Sequence, residues 1–224
     1  MNTIACDSSA LISLAETCNI DALSFLKEKT GASFIIPPSV KDEIISNPMR
    51  VRKYVFSAMR LRKVLNDGVL RVVSSPSLIA DSRKILDEAN SLFLSGNKPL
   101  HILQEGEAQC LALFSSARID GLLVDEKTTR LLIEKPEKLR DVMQTEYRQT
   151  VEMNETVLTR LRKRFSGIAV IRSAELLAVG AKHGFFQNYK SDANDAFHAS
   201  LFALRSAGCS ISTSELDEYS GINI

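Results

Sequence analysis

Several short, almost continuously apolar runs constrain this chain more than any other feature. They are "TIAC" at 3–6, the apolar run at 34–36, "VLRVV" at 69–73, "GLLV" at 121–124 and "GIAVI" at 167–171. A strand with one wet face alternates apolar with polar residues, whereas a strand buried on both faces does not alternate. Segments with helical apolar spacing stand between the runs. "SALISLAETCNIDALSFLKE" follows the first, a helix opened by Ser39 follows the second, and 50–65 places Val51, Tyr54, Val55, Ala58, Leu61 and Leu65 on one face. Further helices are expected at 78–94, 105–117, 173–183 and 192–207. Apolar strands alternating with helices predict an α/β fold, a central parallel β-sheet flanked by α-helices on both faces.

With 224 residues, 45% hydrophobic and 25% charged, the chain can bury a core of its own. It reads as one domain, 1–224: a core at 1–134, a polar helical insertion at 137–165, and a strand and helices at 166–224 that complete the fold. The formal net charge is +1, so affinity for an anionic partner must come from the distribution of charge rather than its sum. Cys6, Cys18, Cys110 and Cys209 form no CxxC couple and read as reduced thiols. His101, His183 and His198 stand apart, outside any HxH or HExxH setting, which argues against a histidine-held metal. There is no basic leader and no apolar stretch of about 18 residues, so the expected location is cytoplasmic and no membrane is a partner.

In open α/β sheets, sites form beyond the carboxyl ends of the strands. Asp7 follows "TIAC", Glu43 follows "FIIPPSVKD", and Asp125 follows "GLLV", while Glu107 opens the helix that begins "EGEAQCLAL". Each acid alone has an ordinary role as a cap, a first-turn charge or a strand end. Four of them in the same topological position point to one acidic cleft. Converging carboxylates repel unless a cation compensates them, and hard divalent ions such as Mg²⁺ or Mn²⁺ do so with carboxylates, water and phosphate oxygens. That chemistry suits phosphodiester hydrolysis.

The segments "CDSSALISL", "IIPPSVKDEI", "GEAQCLAL" and "LLVDEKTTRLL" together resemble the PIN-domain nucleases, in the order that family uses. Asp7 and Ser9 match its first motif, Val40 and Glu43 its V-x-x-E segment, Glu107 its third acid, and Asp125 with Arg130 five positions later its last. The resemblance covers about 1–134 and is closest to an archaeal and bacterial subgroup whose C-terminal extension is similar to "RSAELLAVGAKHGF" and "SLFALRSAGCSIS". It implies a PIN-like fold and a Mg²⁺- or Mn²⁺-dependent endoribonuclease. Asp7, Glu43, Glu107 and Asp125 would be its metal ligands and catalytic acids. Ser9 would orient Asp7 or a water, and Arg130 would hold the Asp125 loop or meet a phosphate. Where many relatives carry a second Asp this chain has Glu126, a further candidate ligand or a solvent-facing residue. A different match places Asp195 in the role of Glu107, and Glu215 or Asp217 in that of Asp125.

The resemblance also implies RNA as partner and a homodimer, and it covers both toxins paired with a cognate antitoxin and RNA-processing enzymes. The length of the chain favours the latter. A module that binds RNA or protein without cutting is the competing class. No acid occurs between Glu43 and Asp67, where Arg50, Arg52, Lys53, Arg60, Arg62 and Lys63 stand, and none between Glu155 and Glu175, where Arg160, Arg162, Lys163, Arg164 and Arg172 stand. Both stretches are candidates to hold phosphates. Aromatic residues make up 6% with no Trp, so base stacking is expected to contribute little. A haloacid-dehalogenase reading needs D-x-D after the first strand, where Ser9 stands instead, and no P-loop or G-x-G-x-x-G is present.

Overall fold

A computed structural model describes residues 3–222 and residue 224. The chain begins with β1 (Thr3–Cys6), α1 (Ser8–Glu16), α2 (Ala22–Thr30) and β2 (Ser33–Ile36). After Pro37, α3 (Pro38–Lys41) widens into a π-helical turn at Asp42–Ser46 and a 3₁₀ turn at Pro48–Arg50, which leads to α4 (Val55–Asn66) and β3 (Leu70–Val72). Then come α5 (Pro76–Ala89), the short strands β4 (Phe93–Ser95) and β5 (Lys98–Pro99), α6 (Glu105–Ala117), β6 (Gly121–Leu123), α7 (Lys127–Glu134) and α8 (Pro136–Tyr147). The last elements are β7 (Val151–Met153), α9 (Glu155–Arg164), β8 (Ala169–Ile171), α10 (Ser173–Lys182), α11 (Ala193–Ser206) and α12 (Thr213–Ser220).

The five apolar runs form one parallel sheet in the order β3-β2-β1-β6-β8. β1 lies at its centre and is fully buried over Ala5 and Cys6, as are Phe34 to Ile36 in β2, Leu122 and Leu123 in β6, and Val124 just after it. From β1 the chain winds first to β2 and β3 on one side and later to β6 and β8 on the other. The order therefore reverses beside β1, and the reversal opens a crevice at the carboxyl ends of β1 and β6. The Asp7 N–H donates to the Leu123 carbonyl at 2.8 Å and the Val124 N–H to the Ile171 carbonyl at 2.8 Å, so the three chains leave the sheet still tied together.

A second, antiparallel sheet, β5-β4-β7, lies outside this pattern. The segment 137–165 is expected to be helical throughout, yet β7 interrupts it, pairing Phe93 with Met153 and Ser95 with Val151. "STSELDEY", part of an unassigned tail in the sequence, forms α12, capped by Ser212 and Glu215. Among the described residues no helix is long and apolar enough to cross a membrane.

Candidate active site

Asp7, the first residue after β1, is the N-cap of α1. Its Oδ2 accepts from the Ser9 N–H at 3.0 Å and from Ser9 Oγ at 2.6 Å. Its Oδ1 is buried and has no hydrogen-bond partner among the described residues. A buried acceptor left unpaired is costly. Burial pushes the Asp7 carboxyl above its usual range, the Ser9 hydroxyl and the Ser8 and Ser9 amides pull it back, and the charge of Glu126 pushes it further up.

Glu43 comes from the π-helical turn after α3. Such wide turns re-aim side chains and occur often at functional sites. Burial is the main cause of its raised pKa; the neighbouring Ser8 hydroxyl opposes this, and the charges of Asp7 and Glu105 add to it. Glu107 is in the first turn of α6, where its Oε2 accepts from the Gln104 N–H at 2.9 Å. It too is raised by burial, opposed by its own backbone amide and that of Gln104, and pushed on by Asp7 and Glu43. Asp7, Glu43 and Glu107, which are distant in sequence, thus feel one another's charge. The two glutamate-bearing segments are also pinned together: Gln109 Oε1 accepts from Ser39 Oγ at 2.8 Å and from the Ser39 N–H at 3.2 Å, joining α6 to α3. A Cβ on Gly106 would lie 2.5 Å from Glu43 Oε1, so the missing side chain is what lets Glu43 lie against α6.

The loop after β6 supplies two acids with different surroundings. Asp125 is 0% exposed, and both of its oxygens are engaged by Ser173 at the start of α10, Oδ1 by the N–H at 2.7 Å and Oδ2 by the hydroxyl at 2.6 Å. Asp125 therefore borders the acid group through its backbone while its carboxylate faces Ser173. Glu126 caps α7, accepting from the Thr128 N–H at 2.8 Å and the Thr129 N–H at 2.6 Å, and its charge reaches Asp7. Ser9 links the whole arrangement. Its Oγ donates to Asp7 and accepts from the Asp125 N–H at 3.1 Å and the Glu126 N–H at 3.3 Å. Arg130 reaches Ser210 Oγ at 3.4 Å and Glu134 at 3.5 Å, and Ser210 in turn donates its N–H to the Asp125 carbonyl at 3.2 Å.

The second set of acids has different surroundings. Glu215 pairs with Arg172 at 2.8 Å and caps α12, while Asp195 and Asp217 are exposed. The charges that move Asp7, Glu43 and Glu107 come from one another, Glu105 and Glu126. Ser8, Glu105, Gly106, Gln109 and Ser173 belong to the surroundings of the site but were not singled out from the sequence. Of these, only the glycine of "GEA" stood out, because a glycine in a helical pattern costs about 1 kcal/mol relative to alanine.

Among the described residues, no group of three or more His, Cys, Asp or Glu side chains stands close enough to hold a metal ion as it is. The donor set still fits a hard cation. Asp7 Oδ1 is buried with no hydrogen-bond partner among the described residues while the charge of Glu126 acts on the same carboxylate, and Mg²⁺ takes only one or two carboxylates, filling its shell with water and phosphate oxygens.

The two basic stretches differ. In the second, Arg160 pairs with Glu88, Arg162 with Glu137, Arg164 with Asp81 and Glu88, and Arg172 with Glu175 and Glu215. In the first, Lys63 pairs with Asp67, whereas Arg50, Arg52 and Arg62 have no ion-pair partner among the described residues.

In comparison with known proteins, a family described as PIN domain (DUF3368) matches residues 3–137. No curated protein matches the chain. No solved structure matches it.

Proposed function

This chain belongs to the PIN-domain family, and from that premise we propose that it is a metal-dependent endoribonuclease using Mg²⁺ or Mn²⁺. PIN domains are generally nucleases. The observation that carries the reading is the buried, unpaired Oδ1 of Asp7 within a group of acids raised chiefly by burial and pushed further up by neighbouring carboxylates. Asp7, Glu43, Glu107 and Glu126 would hold the ion, one or two of them directly and the others through its bound water. A bound divalent ion supplies charge neutralisation at the phosphoryl group and a water of lowered pKa.

The residues of the chain supply the positioning. Ser9 fixes Asp7 through Oδ2 and leaves Oδ1 without a hydrogen-bond partner among the described residues. Gln109 fixes the separation of the two helical glutamates, and the Thr128 and Thr129 amides orient Glu126. Asp125 acts as a positioning residue that ties this loop to α10, and Arg130 ties α7 to the same C-terminal residue, Ser210. Processing of cellular RNA and the action of a toxin held by an antitoxin both fit this chemistry.

The test is incubation of labelled RNA with Mn²⁺, with EDTA, and with the Asp7→Asn variant in Mn²⁺. Cleavage is expected only in the first, leaving 5′-phosphate ends. Equal cutting in all three would remove the metal-site reading. RNA binding without Mn²⁺-dependent cutting would establish the alternative, a PIN module that binds without catalysis.

A further inference from the structure

We propose that the segment from Arg50 to Lys63 is a docking platform for unpaired RNA, with its arginines on phosphates and its exposed rings on bases. The identity of the polymer rests on the nuclease reading; the place rests on the surface itself.

Three observations converge there. First, this is the basic stretch that lacks compensation. No acid occurs between Glu43 and Asp67, and Arg50, Arg52 and Arg62 are exposed without an ion-pair partner among the described residues. Such a surface attracts a polyanion by counterion release. Second, the same segment exposes aromatic rings with cations beside them, whereas the exposed rings of Tyr147, Tyr189 and Phe202 have none within cation–π distance among the described residues. Phe56 is 71% exposed and Tyr54 is 42% exposed. The guanidinium of Arg60 lies 5.3 Å from the Phe56 centroid and Lys53 Nζ lies 5.2 Å from that of Tyr54. Rings with cations beside them are what a nucleotide chain engages, each base having a π-face and each linkage an anion. Third, the segment is continuous with the acid site. Asn47 N–H donates to Asp42 O, Arg50 to Asn47 O, Val51 to Pro48 O and Tyr54 to Val51 O, an unbroken series of turns from the one that carries Glu43 to α4. The platform and Glu43 thus belong to one continuous stretch of ordered turns.

A protein partner fits less well. It could cover Phe56 and the exposed Met59, but it would also have to bring carboxylates to three open arginines. A base-paired helix does not fit the rings, because its bases are already stacked.

The experiment is fluorescence anisotropy with labelled oligouridylate and with a duplex of equal length, in EDTA so that nothing is cut, across a salt series. Phe56→Ala is expected to weaken single-strand binding about tenfold, the size of one lost stacking contact, with the salt slope unchanged. Arg52→Ala with Arg62→Ala is expected to lower the slope by about 0.7 per contact. Arg160→Ala, which removes a paired cation, is expected to change neither. The proposal is overturned if Phe56→Ala leaves single-strand affinity unchanged, if the duplex binds as well as the single strand, or if the wild type fails to bind. It is equally overturned if Phe56→Ala turns a dimer into a monomer in sedimentation, since a second copy would then be the occupant. Binding sensitive to Phe56 in a protein that never cuts with Mn²⁺ would sink the nuclease reading and leave the platform standing. Mn²⁺-dependent cutting with no Phe56 effect on binding would do the reverse.

Discussion

Asp125 and Glu126 are neighbours with opposite surroundings, and this sets their expected behaviour apart. Both Asp125 oxygens accept short hydrogen bonds from Ser173 in a fully buried setting, so Asp125→Asn places an amide where two donors already point. The expected loss is about 1–3 kcal/mol of stability, with Mn²⁺ affinity in calorimetry little changed for the fraction that folds. Glu126→Gln should do the opposite, weakening Mn²⁺ binding with a melting temperature within a few degrees of wild type. A ligand role for Asp125 would show as lost Mn²⁺ affinity in a folded Asp125→Asn protein. Gly106 gives a second residue-scale prediction. An alanine there brings its Cβ to 2.5 Å from Glu43 Oε1, and the carboxylate has to move. Displacements of about 1 Å at a reacting centre cost on the order of 100-fold in rate. Gly106→Ala should therefore lower kcat strongly in a protein that still folds, and an unchanged kcat would mean that Glu43 takes no part.

At the scale of elements, the parallel sheet could be read from the sequence because its central strands β1, β2 and β6 are apolar at almost every position, a pattern that burial on both faces imposes, while the edge strands β3 and β8 are partly exposed. Asp7, Glu43, Glu107 and the loop at 125–126 could be read for the same reason, since each stands just beyond one of those strands or opens a helix near them. The side-chain direction of Asp125 could not. It depends on Ser173, which is 48 residues away in sequence and belongs to a segment outside the family match. The strands β4, β5 and β7 were not visible because two or three residues are too few to show a period of two, and β7 lies in a highly polar stretch. α12 does carry a sequence signal, since Ser212 and Glu215 form the S-x-x-E capping box. This helix is clasped to α10 through Arg172, which is 8% exposed in its side chain, pairs with Glu175 and Glu215, and donates to the Ser210 carbonyl at 2.8 Å. Removing the cation leaves two carboxylates facing each other, so Arg172→Ala should cost about 3–5 kcal/mol in denaturant unfolding. A loss below about 1 kcal/mol would mean that the clasp is only a surface pair.

Across the whole molecule, two groups of acids set opposite pH dependences. Asp7, Glu43 and Glu107 are raised above the values 3.8, 4.5 and 4.5 of the unfolded chain, chiefly by burial. A raised acid binds its proton more tightly in the folded state, so these three favour folding when protonated, and that contribution is lost as pH rises through their raised values. Glu175 and Glu215 behave in the other sense. Burial raises them, but the Arg172 hydrogen bonds and charge outweigh it, and Glu215 falls from 4.5 to about 2. Their contribution is present above about pH 4.5 and is lost as pH falls toward 2. The metal-free protein should therefore be most stable in mildly acidic solution, above the range in which the clasp is lost and below full ionisation of the cluster. A divalent ion competes with protons for the same carboxylates, so the rise in melting temperature on adding Mn²⁺ should be larger at neutral pH than at about pH 5. Asp7→Asn should abolish most of that rise and, by removing one of the repelling charges, stabilise the metal-free protein at neutral pH by about 1 kcal/mol. Thermal melts of the two proteins at both pH values, with EDTA and with Mn²⁺, check all of this together. A Mn²⁺ effect independent of pH and of Asp7 would place the ion on other groups, and the raised acids would then need a different explanation.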